Sequence, residues 1–345
     1  MNFASDNTAG VAPPILEALT KANPGFALGY GNDDWTRRVE KRFSELFERD
    51  VTAFLVPTGT AANALALVHV SPPWGAVFCH EDSHVAADEC GAIEFFGGVK
   101  LIELPGAACK IAPDTIRETM TRFRGPPHSV TPSALTITQA TEVGTVYANA
   151  EVKALADLAH ERGMLLHMDG ARFANALVHL GCSPAEATWK AGVDVLSFGA
   201  TKGGALAAEA VIFFDPARAA GMASRRKRAG LLISKHRFVA AQIEAYLAND
   251  TWLALARHAN GMAQRLAQKL TEIGIAPVWP VQANELFVRL SKEADARLKA
   301  KGASYYPWPD SRAPQGAAGM LVRLVTSFAT TAEEVEQFVA TARAP

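Results

Sequence analysis

The sequence predicts an α/β protein: a large domain on a mainly parallel sheet, then a smaller C-terminal α+β domain. Three observations carry that prediction. Short apolar runs alternate with helical patterns through most of the chain, as in strands joined by helical crossovers. The stretch Glu151 to Arg162 places Val152, Leu155, Ala156 and Ala159 on one face, a helical period. From Ser234 onward the pattern changes to two long helices, short strands and a closing helix.

Taken in order, Val51 to Val56 (VTAFLV) is short and apolar enough for a buried strand. Thr60 to Val70 follows as a helix that starts at a Thr-Gly-Thr turn. Val77 to Cys79, Leu101 to Leu104 and Leu135 to Ile137 are further strands. Gly163 stops the helix begun at Glu151. Leu165 to Met168, Val193 to Phe198 and Ala210 to Phe214 then continue the sheet. Ser234 to Leu247 and Trp252 to Ile273 are the long helices, followed by a Pro/Trp-rich turn (Pro277 to Pro280). Strands near Leu286 to Leu290 and Leu321 to Val325 precede a helix from Ala332 to Ala342. The expected division is 1–248 for an N-terminal segment with the large domain and 249–345 for the small one.

Composition excludes several classes of function. The 345 residues are 49% hydrophobic and 20% charged, too apolar for a disordered chain. With 34 Lys and Arg against 35 Asp and Glu, the net charge of −1 offers no global field for nucleic acid. No run approaches about 18 continuous apolar residues, so no membrane partner is expected. Met1 to Ala9 lacks the basic and apolar pattern of a secretory signal. Cys79, Cys90, Cys109 and Cys182 form neither a CxxC pair nor a zinc-like spacing. The expectation is a cytoplasmic protein with reduced thiols and no metal centre.

In open parallel sheets, ligands sit beyond the carboxyl ends of the strands. Three segments there bear chemistry. Pro57-Thr58-Gly59-Thr60 leads straight into a helix, and its N–H groups and hydroxyls suit a phosphate or simply cap the turn. Asp169, at a strand end, can hold a ring nitrogen or a metal, or cap a turn. Lys202, among small residues in Gly199 to Gly204, is either a surface lysine or a nucleophile close to a carbonyl. A phosphate cradle, then a strand-end Asp, then a Lys 33 positions later is the layout that pyridoxal 5′-phosphate needs.

That order resembles the fold-type I, aspartate-aminotransferase-like superfamily, which implies a PLP-dependent transferase-like large domain. The closer resemblance is to the L-threonine aldolase family and spans almost the whole chain. It is carried by FASDNTAG (Phe3 to Gly10), YGNDD (Tyr30 to Asp34), PTGTAAN (Pro57 to Asn63), HVAADECGA (His84 to Ala92), DGAR (Asp169 to Arg172) and TKGG (Thr201 to Gly204). The family cleaves β-hydroxy-α-amino acids, such as threonine, allo-threonine and phenylserine, to glycine and an aldehyde. It is usually a homotetramer with active sites at subunit boundaries.

The resemblance implies a role at each matching position. Lys202 forms the Schiff base and Asp169 pairs with the pyridine nitrogen. His84 lies over the cofactor ring and joins in proton transfer. Thr58, Gly59 and Thr60 hold phosphate, and Arg172 reaches a cofactor oxygen or the substrate carboxylate. Ser5 and Asp6 lie beside the substrate, and Tyr30 lines the pocket from a neighbouring subunit. Arg323 also has pattern evidence: it shares a face with Leu321 and Val325 of an apolar strand, so its charge needs a partner. That partner is the substrate α-carboxylate in the family reading, or an Asp or Glu of the chain in a structural one.

The run Arg225-Arg226-Lys227-Arg228 is a solvated helix face on pattern alone. The resemblance implies that Lys227 or Arg228 approaches a neighbour's phosphate. In one respect the sequence departs from its relatives: many carry a Glu-Asn-Thr-His-like segment, whereas Thr138 to Gly144 reads TQATEVG, without histidine. His84, Glu89 through water, or a phosphate-activated water are then the candidates for the base at the β-hydroxyl. The rivals are a β-eliminating lyase, an aminotransferase and a non-catalytic protein of the same fold. Retention of Lys202, Asp169 and Arg323 argues against the last.

Overall fold

The computed structural model describes residues 1–309, 313–314 and 318–343. Its large sheet is built from β1 (Thr52–Val56), β2 (Gly75–His80), β3 (Lys100–Leu104), β4 (Thr131–Thr138), β5 (Leu165–Gly170), β6 (Val195–Gly199) and β7 (Glu209–Phe213). In space the order is β1-β7-β6-β5-β4-β2-β3. Every pairing is parallel except the two made by β7. Only residues 200–208 separate β6 from β7, too few for a helical crossover, so the chain returns antiparallel. The apolar run at Ala210 to Phe214 thus joins the sheet as its one reversed strand.

The helices of this part are α1 (Pro13–Ala22), α2 (Asp34–Leu46), α3 (Gly59–His69), α4 (His84–Ala87), α5 (Ala92–Gly97), α6 (Pro113–Met120), α7 (Asn149–Glu161), α8 (Phe173–Leu180), α9 (Met222–Arg228) and α10 (Arg237–Leu247). Their ends follow from local chemistry. Asp33 accepts the Thr36 N–H at 2.8 Å to open α2, and Thr58 accepts the Ala61 N–H at 3.2 Å to open α3. α3 is buried at every position from Ala61 to Val68, which is why its sequence is apolar all round. Gly163 follows α7 at φ +70°, a conformation costly for any residue with a Cβ.

The main core is aromatic where β6 meets the helices. The Phe198 ring lies 5.3 Å from Phe43 of α2 and 5.7 Å from Trp252. All three are fully buried, and truncating such a ring costs about 3–5 kcal/mol. Trp252 belongs to α11 (Thr251–Glu272), which packs against α8.

The second layer is the antiparallel sheet β8-β10-β9, formed by β8 (Glu285–Leu290), β9 (Tyr306–Pro307) and β10 (Met320–Val325). α11, α12 (Lys292–Ala300) and α13 (Ala332–Ala342) supply its core, with Leu266, Leu286, Val322 and Phe338 buried together. The chain's start belongs to this layer too. The Phe3 N–H donates to the Ser304 carbonyl at 2.8 Å, and the Val325 N–H donates to the Phe3 carbonyl at 2.8 Å. Phe3 then packs 5.1 Å from Phe338. Among the described residues, no helix is long and apolar enough to cross a membrane.

Candidate active site

The carboxyl ends of β1, β2, β4, β5 and β6 bring most of the expected residues to one edge of the large sheet. β1 delivers Thr58, Gly59 and Thr60 at the start of α3, β2 leads to His84, β5 ends in Asp169, and β6 leads to Lys202. The Lys202 side chain makes no hydrogen bond or ion pair among the described residues. Its charge nevertheless acts on Asp6, His84 and Glu209, so these groups share one site.

Asp169 is fixed from two directions. Its Oδ1 accepts the Ala171 N–H at 2.9 Å and its Oδ2 accepts the Asn63 amide at 2.9 Å. The same Asn63 nitrogen donates to Glu89 Oε1 at 2.8 Å, and that oxygen also lies 2.8 Å from His84 Nδ1. A continuous polar chain therefore joins Asp169 to His84 through Asn63 and Glu89. Hydrogen bonding to Glu89 holds the His84 imidazole above its ordinary 6.5, against the opposite pull of burial. Glu89 is itself raised by burial, although His84 and Asn63 oppose the shift.

Glu142 grips His84 from the other end. Its Oε1 accepts the His84 backbone N–H at 3.1 Å and the Thr138 hydroxyl at 2.8 Å. Burial pushes this carboxyl up to about 7, with Thr138 opposing, so it is divided between its protonated and ionised forms near neutrality. The second oxygens of Glu89 and Glu142 are buried without a hydrogen-bond partner among the described residues.

On the small-domain side, Arg172 is already paired. Its Nε and Nη2 donate to Asp6 at 2.8 and 3.1 Å, and Nη2 lies 3.0 Å from Glu285 Oε1. Burial alone would raise the Asp6 carboxyl, but Arg172, Lys202 and Asn284 outweigh it and keep it below the ordinary value. Asn284 donates to Asp6 Oδ2 at 3.0 Å. Arg323 is more open. Among the described residues, its Nη2 reaches the Ala4 carbonyl at 3.4 Å, its Nη1 is 3.9 Å from Glu285, and its Nε is buried without a hydrogen bond. Trp308 and Tyr306 rings flank it at 5.4 and 5.9 Å. The Ser5 hydroxyl accepts the Asn7 N–H at 3.1 Å and lies 3.5 Å from Asp6 Oδ1.

A model of the beta-eliminating lyase family matches residues 2–293 of this sequence. The low specificity L-threonine aldolase of Pseudomonas aeruginosa is 46% identical over 306 residues, 88% of each chain. That of a Pseudomonas species is 43% identical over 344 residues, covering 99% of this chain and 97% of the relative. The chain belongs to the beta-eliminating lyase family and, within it, to the L-threonine aldolases. The solved threonine aldolase of Leishmania major superposes with a TM-score of 0.92 at 30% identity, covering 99% of this chain and 98% of that one.

Within this threonine aldolase site, two expected residues stand apart. Tyr30 is 50% exposed, with Lys227 Nζ 4.3 Å from its ring centroid. Among the described residues, no hydrogen bond or ion pair joins Tyr30, Lys227 or Arg228 to the Lys202 cluster. Arg226 is the member of the basic run that turns inward, donating to the Leu55 carbonyl at 3.0 Å. Sequence reasoning also passed over Asn63, Glu142, Glu209 and Glu285. Glu209 had a usable signal: it is the lone charge in the apolar stretch Ala205 to Phe214, the same argument that singled out Arg323. A surface cleft at the opposite sheet edge, lined by Thr131, Leu165, Asp194 and Arg218, contains none of these groups.

Proposed function

We propose that this protein is a pyridoxal 5′-phosphate-dependent aldolase acting in the cytoplasm. Its substrates are L-threonine, L-allo-threonine and related β-hydroxy-α-amino acids such as phenylserine, reversibly cleaved to glycine and an aldehyde. The observation that carries the reading is a half-buried Lys202 without a partner, at the same sheet edge as Asp169 and His84. The donor set suits the cofactor. A Cβ on Gly59 would meet no atom within 4 Å, so there is open space for a phosphate at the start of α3, beside Thr58 and Thr60. Asp169, acceptor-only when ionised, keeps lone pairs for a pyridinium N–H beyond its two bonds. Bound there, pyridoxal 5′-phosphate supplies an electron sink for the pair released when Cα–Cβ breaks.

The chain's own residues do the rest. Lys202 would hold the cofactor covalently through its side-chain nitrogen. Arg323 forks the α-carboxylate beside Ser5 and Asp6, which sets the Cα–Cβ bond for cleavage. Arg172 keeps Nη1 for a cofactor oxygen. With Nδ1 turned to Glu89, His84 presents Nε2, which takes the β-hydroxyl proton as the aldehyde forms. The large domain, 1–248, supplies the cofactor groups, and the small one, 249–345, supplies Arg323.

A homotetramer completes the site, with Tyr30 and Lys227 or Arg228 entering from a neighbouring subunit. Phe26 and Leu28, 110% and 70% exposed beside Tyr30, support a covered surface there. The test of the reaction is incubation with threonine, allo-threonine and phenylserine, with the threonine products coupled to alcohol dehydrogenase. Acetaldehyde and glycine in equal amounts are expected from threonine. 2-Oxobutyrate with ammonia, or keto acid by amino transfer, would establish a rival reaction instead.

A further inference from the structure

The turn that carries Lys202 is fixed from several sides, and behind it lies a carboxylate with no place in the cofactor and substrate contacts above. Glu209 opens β7, opposite Gly199 of β6 and Val56 of β1. It therefore stands between the strand ends that lead to the Lys202 turn and to the Pro57–Thr60 turn. Its Oε2 accepts the Ala200 N–H at 3.1 Å, and the next residue, Thr201, braces the far side of the turn, its hydroxyl accepting the Ala208 N–H at 3.2 Å. From α10, Gln242 Oε1 accepts the N–H groups of Leu206 and Ala207 at 2.8 and 3.0 Å. A Cβ on Gly203 would meet the Tyr246 hydroxyl, so the turn lies flat against α10 and only glycine fits.

We propose that Glu209 is a positioning residue for Lys202: it holds the backbone at Ala200, two residues before the lysine, and sets one buried carboxylate within electrostatic reach of the lysine nitrogen. The backbone contacts aim Lys202 into the site, and the charge favours the cationic state of its nitrogen, whether free or joined to cofactor. The inference rests on the reading of Lys202 as the cofactor lysine.

The charge is itself conditional. Burial pushes the Glu209 carboxyl up to about 7, with Thr201, Lys202 and the Ala200 N–H opposing. The titratable groups that face Glu209 and Lys202 are the Tyr246 phenol of α10, raised by burial and by Glu209, and Asp6 and His84, on both of which Lys202 acts. Support for a cation at Lys202 is thus complete above that pH and lost as Glu209 protonates below it.

Glu209→Gln keeps an acceptor for Ala200 and removes the charge. In protein loaded with pyridoxal 5′-phosphate, the pH midpoint of the visible cofactor band falls by about one unit in this variant. Glu209→Asp retains the charge and guards against a folding defect in the first variant; its midpoint stays near wild type. A wild-type midpoint in Glu209→Gln, or an equal displacement in Glu209→Asp, overturns the proposal. Lys202→Ala separates the two readings. A pH-dependent band that persists there overturns Lys202 as cofactor lysine, whereas its loss beside an unshifted Glu209→Gln midpoint overturns the role of Glu209 alone.

Discussion

His84 stands between two carboxylates that do different things. Glu142 holds its backbone and Glu89 holds its ring at Nδ1, which leaves Nε2 without a hydrogen bond among the described residues and with only the exposed Asp88 carboxylate near it, at 3.7 Å. A base works only when deprotonated, and Glu89 raises the pH at which His84 loses its proton. The acid limb of kcat/KM for threonine cleavage is therefore expected above 6.5, the ordinary imidazole value. Glu89→Gln moves that limb to lower pH, because without the carboxylate His84 stays neutral further into acid. His84→Asn lowers kcat/KM by about 100-fold or more at the optimum. A pH–rate profile in Glu89→Gln that superposes on wild type would remove His84 from the proton transfer.

At the scale of elements, the strands and long helices were readable because burial and periodicity leave direct traces. Ala332 to Ala342 is a helix with the expected bounds, opened by Thr331 and Glu334 as a reciprocal cap worth about 1 kcal/mol. The helix expected from Ser234 starts at Arg237, since the preceding residues hold other elements: the Ser234 carbonyl accepts the Tyr30 N–H at 2.9 Å. Reversal of β7 and the docking of Phe3 on the small sheet depend on partners distant in sequence, and no local pattern encodes them. The site divides in the same way. Lys202, Asp169 and the Pro57–Thr60 turn announce themselves by their places after apolar runs. The joining of His84 to Asp169 through Asn63 needs residues 106 positions apart and becomes visible only when β1 and β5 share a sheet. Likewise, Arg323 signals that it needs a partner, while its nearest carboxylate, Glu285, is two strand residues away from facing it in register.

Over the whole molecule, the charges that matter are few against a net of −1. Asp6, Arg172, Glu285 and Arg323 meet where the small sheet closes on the large one, which is how the N-terminal segment and the last third come to serve one site. Tyr30 and Lys227 lie together outside that cluster, and the account places them in a neighbour's site. Mixing inactive Lys202→Ala subunits with weakened Tyr30→Ala, Lys227→Ala subunits, then exchanging them, should restore part of the wild-type rate. Mixed assemblies with no more activity than the average of their parents would confine every functional residue to its own subunit. The most direct test of the central claim is borohydride reduction of the cofactor-loaded protein, followed by peptide mass mapping. The account predicts a single pyridoxyl modification on Lys202, and a modification confined to any other lysine, or none, would contradict it.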